Sequence, residues 1–412
     1  MGIFDFLKKP NNYGLALDIG TEFVKTLIFE VKDGKATVVG VGKVRQRLGD
    51  MQAGAVRDIR GVIDTCEQAI EVAEKEAKIS ADKAVLGIAG ELIKGVTTVV
   101  HYTRVDPEKE ITFAELSKII QRVQDEAFKQ ARELLAEETG YPSVAVKLVN
   151  SAIVEVKIDG YRVNNPLGFK GKEVKVGVFN AFAPLIHLGA LQTIADELGL
   201  DVISIAVEPY AVARAYSQEG DYSAIFIDIG GGTTDVAVVR KGGVEGTKMY
   251  GLGGHAFTHR IASDLSLSFS EAEKLKIKYS AGSLKKEKEA EVRQALRGDV
   301  EVWSEGLNLA LEEFSEEILP SKIFLCGGGS LLPEIKTTLE KNDWRRGLPF
   351  SRTPKVNFAS LKGVNGIIDQ TGKMTAPQYV TPASLVNLSL ELVGEESVLD
   401  DVLNQAVKTL RN

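Results

Sequence analysis

The sequence predicts an α/β protein of two similar domains, one of them interrupted by an inserted α+β unit. Strand-like and helix-like segments alternate along most of the 412 residues, the rhythm of layered α/β folds. A strand-turn-strand phrase occurs twice, as "YGLALDIGTEFVKTLIFEV" (13–31) and "IFIDIGGGTTDVAVV" (225–239). Repeats so far apart point to two related domains rather than a solenoid of short units. Between them lies a block of roughly ninety residues, taken as 85–181, with a long helix and strands of its own.

In the first phrase Leu15, Leu17 and Ile19 precede Gly20, and an apolar run follows it, as in two strands joined by a tight turn. Residues 60–79 place Ile63, Cys66, Ile70, Ala73 and Ala77 at helical spacing. A strand is expected over 83–90. A long helix is expected over 112–140, opened by Thr112 with Glu115 three residues on and closed near Gly140. Strands around 144–158 and 174–182 complete the block, and helix-strand alternation resumes over 188–200 and 202–216. In the second half a charged helical region runs from Ser270 to Glu317, within which "KKEKEAEVR" (285–293) reads as a solvated face. Ile323, Phe324 and Leu325 form a short strand, Gly327 to Gly329 break it, and Pro333 opens a helix.

Composition narrows the function classes. Hydrophobic residues at 44% and charged residues at 26% suit large cores rather than disorder. Lys+Arg 50 against Asp+Glu 57 gives a formal charge of -7, which argues against nucleic acid as a partner. Cys66 and Cys326 lie in unrelated contexts and imply no disulfide or zinc framework, so a cytoplasmic setting is expected. No apolar run is long enough for a membrane span or a secretory signal. Ile3, Phe4, Phe6 and Leu7 nevertheless crowd together before Lys8 and Lys9, as in a short surface-seeking segment.

The glycine turns carry the chemistry. Glycine admits phosphate oxygens close to the backbone, where successive N–H groups can point at an anion. Gly20 and Thr21 supply this in the first turn, and Gly230, Gly231, Gly232, Thr233 and Thr234 in the second. Asp18 and Asp228 suit a divalent metal, directly or through water, while Lys25 returns on the neighbouring strand to neutralise phosphate. The third run, Gly327, Gly328, Gly329 and Ser330, leaves a strand and opens a helix, which suits a flat nucleoside. Glu273 and Lys276 sit one helical turn apart and can face ribose or base together.

In order and spacing, Asp18 to Thr21, Glu208-Pro209, Asp228 to Asp235, Glu273 with Lys276 and Gly327 to Ser330 resemble the actin-like ATPase superfamily over nearly the whole chain. The resemblance implies ATP and Mg²⁺ between two ribonuclease-H-like domains, with Asp18 and Asp228 toward the metal. Glu208, in "VEPYAVARA" (207–215), is then the residue that positions attacking water. The place of the insertion, with "VKIDGYRVNNPLGFKGKEVKV" (156–176) and "GLGGHAFTHRIASDLSLSFSEAEKLKIKY" (251–279), is similar to the cell-division FtsA family.

That resemblance implies a membrane adaptor that tethers FtsZ or another divisome partner at the septum. It also implies assembly into cytoskeletal filaments through the insertion, called subdomain 1C, a location at the inner face of the cell membrane, and at most slow ATP hydrolysis. The implied spans are 13–84 with 182–214 (1A), 85–181 (1C), 215–250 with 312–394 (2A) and 251–311 (2B), between tails 1–12 and 395–412. The C-terminal segment is amphipathic through Leu399, Leu403, Val407 and Leu410 but acidic, so residues 2–9 are the expected membrane contact and this tail the alternative. The pilus-assembly protein PilM shares the fold and insertion and is the second reading. A sugar or acetate kinase is the third, although no acceptor-site base is visible. A heat-shock chaperone is disfavoured by the short chain after the third glycine run.

Overall fold

The computed structural model describes residues 12–141, 144–216, 222–391 and 403. The first strand pair is β1 (Tyr13–Ile19) and β2 (Phe23–Lys32), antiparallel as expected. Asp33 and Gly34, both in the left-handed region, then turn the chain into β3 (Lys35–Arg45), the two-residue hairpin that Asp-Gly favours. A small ribbon of β4 (Met51–Gln52) and β5 (Ala55–Val56) leads to α1 (Ile59–Ala77), capped by Asp58, and then to β6 (Lys83–Ile88).

The inserted block comprises β7 (Lys94–Thr103), α2 (Phe113–Thr139), β8 (Val146–Ile158), β9 (Tyr161–Arg162) and β10 (Glu173–Pro184). Thr112 caps α2 by accepting the Glu115 N–H, and Gly140 ends it at φ 71°. The Glu115 carboxylate does not reach back to the cap; it grips Arg104 through two bonds of 2.8 and 2.9 Å. Leu116, Ile119, Ile120 and Val123 of α2 join Val156, Val174, Val176 and Val178 of the sheet in one apolar cluster. Each fully buried aliphatic side chain contributes about 1.5–3 kcal/mol, so the insertion holds a core of its own.

The chain returns through α3 (Leu185–Glu197), β11 (Asp201–Val207) and α4 (Glu208–Tyr216). The second strand-turn-strand phrase is β12 (Ala224–Ile229) and β13 (Thr234–Arg240), extended by β14 (Gly243–Tyr250). Three helices follow, α5 (Gly254–Asp264), α6 (Phe269–Ser280) and α7 (Lys286–Glu312). The charged run 285–293 opens α7 with Lys285, Lys286, Glu287 and Arg293 exposed and only Val292 buried. Then come β15 (Lys322–Cys326), α8 (Pro333–Leu339) with Pro333 in its first turn, β16 (Lys355–Phe358), β17 (Ile367–Asp369) and α9 (Val380–Glu391).

Two sheets organise these elements, in the orders β11-β6-β1-β2-β3-β17 and β16-β15-β12-β13-β14-β7-β10-β8-β9. The insertion's sheet therefore runs on from the second sheet, joined where Val96 and Gly95 of β7 pair with Gly246 and Thr247 of β14. The expected second-domain span 312–394 is divided by this topology. β17 pairs with β3, and Leu385 and Val386 of α9 sit in the core of the first sheet, with α9 packed on α4, β1 and β2.

Candidate functional site

Both glycine hairpins open onto one cleft of about 420 Å³. Their turns share a backbone plan: the Gly20 N–H donates to Phe23 O at 3.2 Å, and the Gly230 N–H donates to Thr233 O at 2.9 Å. Strand register sets Asp18 opposite Lys25 and Asp228 opposite Asp235. The two turns also abut. A Cβ on Gly231 would lie 2.7 Å from Glu22 Cβ, so only glycine permits this approach. Glu22 spans the gap, pairing with His255 of α5 at 2.6 Å and with Arg45 of β3 at 2.7 Å.

Carboxylates dominate the floor of the cleft. Lys25 Nζ lies 2.7 Å from Asp18 Oδ2; burial pulls its pKa down, but Asp18 first, then Asp228 and Glu208, carry it above the ordinary lysine value. Burial raises Asp228 despite the hydroxyl of Thr381 donating to it and the charge of Lys25. Asp235 is pushed well above the usual carboxylate range by burial and by Asp228, and Glu208 likewise by burial, Asp18 and Asp235. The Asp235 Oδ1 atom is buried without a hydrogen-bond partner.

One lysine among four carboxylates, of which Asp18 and Asp235 are buried and Asp228 and Glu208 partly so, is a charge pattern that a cation completes. Among the described residues, no three His, Cys, Asp or Glu side chains converge closely enough to ligate an ion by themselves. A divalent cation fits here through one or two carboxylates, with water and phosphate oxygens as the other ligands, the arrangement Mg²⁺ favours.

The third glycine run forms the far wall. Gly327 turns at φ 77° against Asp228 and Ile229, while in front of Gly328 the nearest atom is Gln378 Oε1, 3.7 Å from where a Cβ would stand. This open strip of backbone suits a flat ring. Glu273 and Lys276 line the same wall. Lys276 Nζ lies 2.7 Å from each of Glu273 Oε2, Gly254 O and Thr258 Oγ1, so it also ties α6 to α5. Burial raises Glu273, yet the neighbouring Lys276 holds it below its ordinary value; burial lowers Lys276 despite Glu273.

Of the sequence candidates, Asp18, Gly20, Thr21, Lys25, Glu208, Asp228, Gly230, Gly231, Thr233, Glu273, Lys276 and Gly327 to Gly329 line the cleft. Three do not. Thr234 points to the opposite face, donating to Leu252 O and accepting from Trp303 Nε1, because successive strand residues alternate sides. Ser330 is buried and donates to Gly327 O at 2.7 Å, closing its own turn. Gly232 packs against Thr21 and Ala53, serving the contact between the turns.

Sequence reasoning gave no site role to Glu22, Lys43, Asp235, His255, Gln378 and Thr381, all of which line the cleft. Asp235 was within reach, since hairpin register places it on the face of Asp228. Lys43, whose Nζ donates to Gln378 Oε1 at 3.0 Å and lies 4.0 Å above the Phe23 ring, left no local signal. Its pKa is lowered, chiefly by burial and then by Lys25.

Residues 2–9 lie outside the described residues, as do Leu399, Val407 and Leu410. Leu403 is described: it is buried in the insertion's apolar cluster. Among the described residues no helix is long and apolar enough to cross a membrane.

Two sheets of this topology about one cleft define an actin-like fold. The solved PilM-PilN type IV pilus biogenesis complex aligns with 94% of this chain and 100% of its own at a TM-score of 0.66 and 17% identity. In sequence the chain resembles the cell division protein FtsA, whose family model matches residues 225–384. The FtsA of Pseudomonas aeruginosa is 28% identical over 406 residues, covering 92% of this chain and 89% of the relative. The FtsA of Neisseria meningitidis serogroup B is 26% identical over 414 residues, covering 94% and 92%.

Proposed function

We propose that this chain binds ATP with Mg²⁺ between its two domains and serves as an FtsA-like cell-division adaptor. The observation that carries the nucleotide reading is the facing of two phosphate-type turns across one cleft with a third glycine turn behind them. Asp18 and Asp228 would hold the metal, directly or through water, Lys25 and the turn N–H groups would take the phosphates, and Gly327 to Gly329 with Glu273 and Lys276 would take the nucleoside. Bound Mg²⁺ supplies neutralisation of phosphate charge. Glu208 accepts a hydrogen bond from attacking water and orients it. Glu208→Ala should keep ATP affinity while lowering turnover about 100-fold, the low end of what a positioned base contributes.

The domains we assign are 13–93, 185–216 and 361–391 around the first sheet, 94–184 as the insertion, and 222–250 with 312–360 around the second sheet, carrying 251–311. The insertion makes the contacts of filament assembly, and the filament links FtsZ or another divisome protein to the inner face of the membrane. Residues 2–9 provide the membrane contact. Each is a weak anchor, and a polymer sums them through effective concentration. Sedimentation with ATP and Mg²⁺, with and without anionic vesicles, tests this: polymer formed on lipid supports the adaptor, and the absence of polymer under every condition rejects it.

The second reading, a PilM-like component of pilus assembly, is favoured by the PilM alignment across the whole length of that chain. A monomer that ignores lipid and captures a short peptide of a membrane partner would select it.

A further inference from the structure

The insertion grips the helix that carries Glu208 at two points outside the cleft. β11 is an edge strand, paired with β6 alone among the described strands. At its last residue the Val207 N–H donates to Asn150 Oδ1 on β8, at 2.8 Å. Asn150 stands beside the shift in β8–β10 register between Ala181 and Phe182; irregularities of this kind re-aim a side chain out of the ladder. Two residues beyond Glu208, Tyr210 lies flat on Phe179 of β10, with centroids 4.9 Å apart and planes 4° from parallel. Both rings are buried.

These contacts are tied into the framework of the insertion. Next to Asn150, the half-buried Ser151 receives a bond from the buried Gln124 of α2 at 2.9 Å and gives one to the buried Asn180 of β10 at 2.8 Å, joining helix and sheet. The Glu208 carboxylate is in turn lodged tightly, since a Cβ on Gly87 would come within 2.6 Å of Oε1. A small shift of α4 therefore displaces the carboxylate.

We propose that Asn150, assisted by Phe179, is a positioning residue for Glu208, so that the insertion sets the turnover of nucleotide in the cleft. This rests on the cleft being an ATP site. A partner or second copy seated on the insertion then changes the rate without touching the nucleotide.

The test uses the full chain as wild type, Asn150→Ala and Asn150→Asp, with ATP affinity measured by calorimetry and turnover by phosphate release. Asn150→Ala should lower kcat about tenfold, the scale of a slightly misplaced catalytic group, with Kd within about twofold. Asn150→Asp keeps the acceptor and should recover most of the rate. Unchanged kcat in Asn150→Ala, equal losses in both variants, or affinity falling in step with rate each overturns the proposal. If turnover is too slow to time, hydrogen exchange of the 207–216 peptide replaces it. ATP should protect that peptide in wild type and Asn150→Asp but not in Asn150→Ala, and equal protection in all three overturns the proposal. Failure of wild type to bind ATP rejects the nucleotide reading and this inference with it; ATP binding with no response at Asn150 rejects this inference alone.

Discussion

In the first hairpin Asp18 faces Lys25 across the strand pair, whereas in the second the same place opposite Asp228 is taken by Asp235. The backbones match, down to the glycine N–H that closes each turn, yet the charge opposite the leading aspartate is reversed. A Lys–Asp pair is close to neutral and leaves ammonium hydrogens for phosphate. An Asp–Asp pair directly across a strand is destabilising, and here the Thr381 hydroxyl donating to Asp228 offsets part of that cost. On the proposed reading the duplicated geometry differs in charge: beside its leading aspartate the first wall adds a cation for phosphate, and the second adds a further carboxylate on the metal side.

The comparison breaks most severely at the place where the turns touch. Gly231→Val would set a side chain 2.7 Å from Glu22 Cβ and 3.0 Å from Glu22 N. ATP affinity should fall at least about 100-fold, or about 2.7 kcal/mol, by calorimetry. Gly230→Ala, with its nearest neighbour at 3.6 Å, should change affinity less than about twofold; similar losses in both would show that the contact between turns is not what requires glycine.

Removing the cation of the first hairpin comes next. Lys25→Ala leaves Asp18, Asp228 and Glu208 without their partly buried counter-charge, and loss of one partner from a largely buried group costs several kcal/mol. Weaker ATP binding by about 30-fold and a lower unfolding midpoint are expected, and retention of both would assign phosphate neutralisation elsewhere, with Lys43 the first candidate.

The smallest effect sharpens the contrast from the other side. Asp228, Asp235 and Glu208 have raised pKa values in the fold, chiefly through burial. The folded state therefore keeps protons that the unfolded chain releases from about pH 4 upward. Stability without ligand should decline as pH climbs from that range through the raised values. Asp235→Asn should flatten the decline and stabilise the unliganded protein by about 0.5–1 kcal/mol, the scale of one cross-strand pair. Denaturant midpoints measured from pH 5 to 8 decide it, and a steeper decline in the variant would contradict the assignment.

Much of this arrangement was legible in residue order. The hairpins, the caps at Thr112 and Gly140, and the helix opened by Pro333 follow from local pattern. Asp235 in the cleft and Thr234 out of it follow from the two-residue period of a strand. Asp33–Gly34 also suits the hairpin into β3, a turn that was not read from the sequence. What was not legible is long-range. The β7–β14 junction joins residues some 150 apart, Glu22 meets His255, and Thr381 reaches Asp228. Only tertiary packing brings these groups together, and none leaves a periodic trace. The return of α9 to the first sheet is of the same kind: its apolar run matched either core, and its contacts with α4 decided between them.

The division of labour between hairpins is tested most directly by titrating ATP into the folded protein with Mg²⁺ and with the metal chelated. One site per chain is expected, tight with Mg²⁺ and weakened by chelation, with the metal dependence reduced in Asp228→Asn while Lys25→Ala loses affinity in either condition. No binding heat in wild type, or equal metal dependence in the two variants, would contradict it.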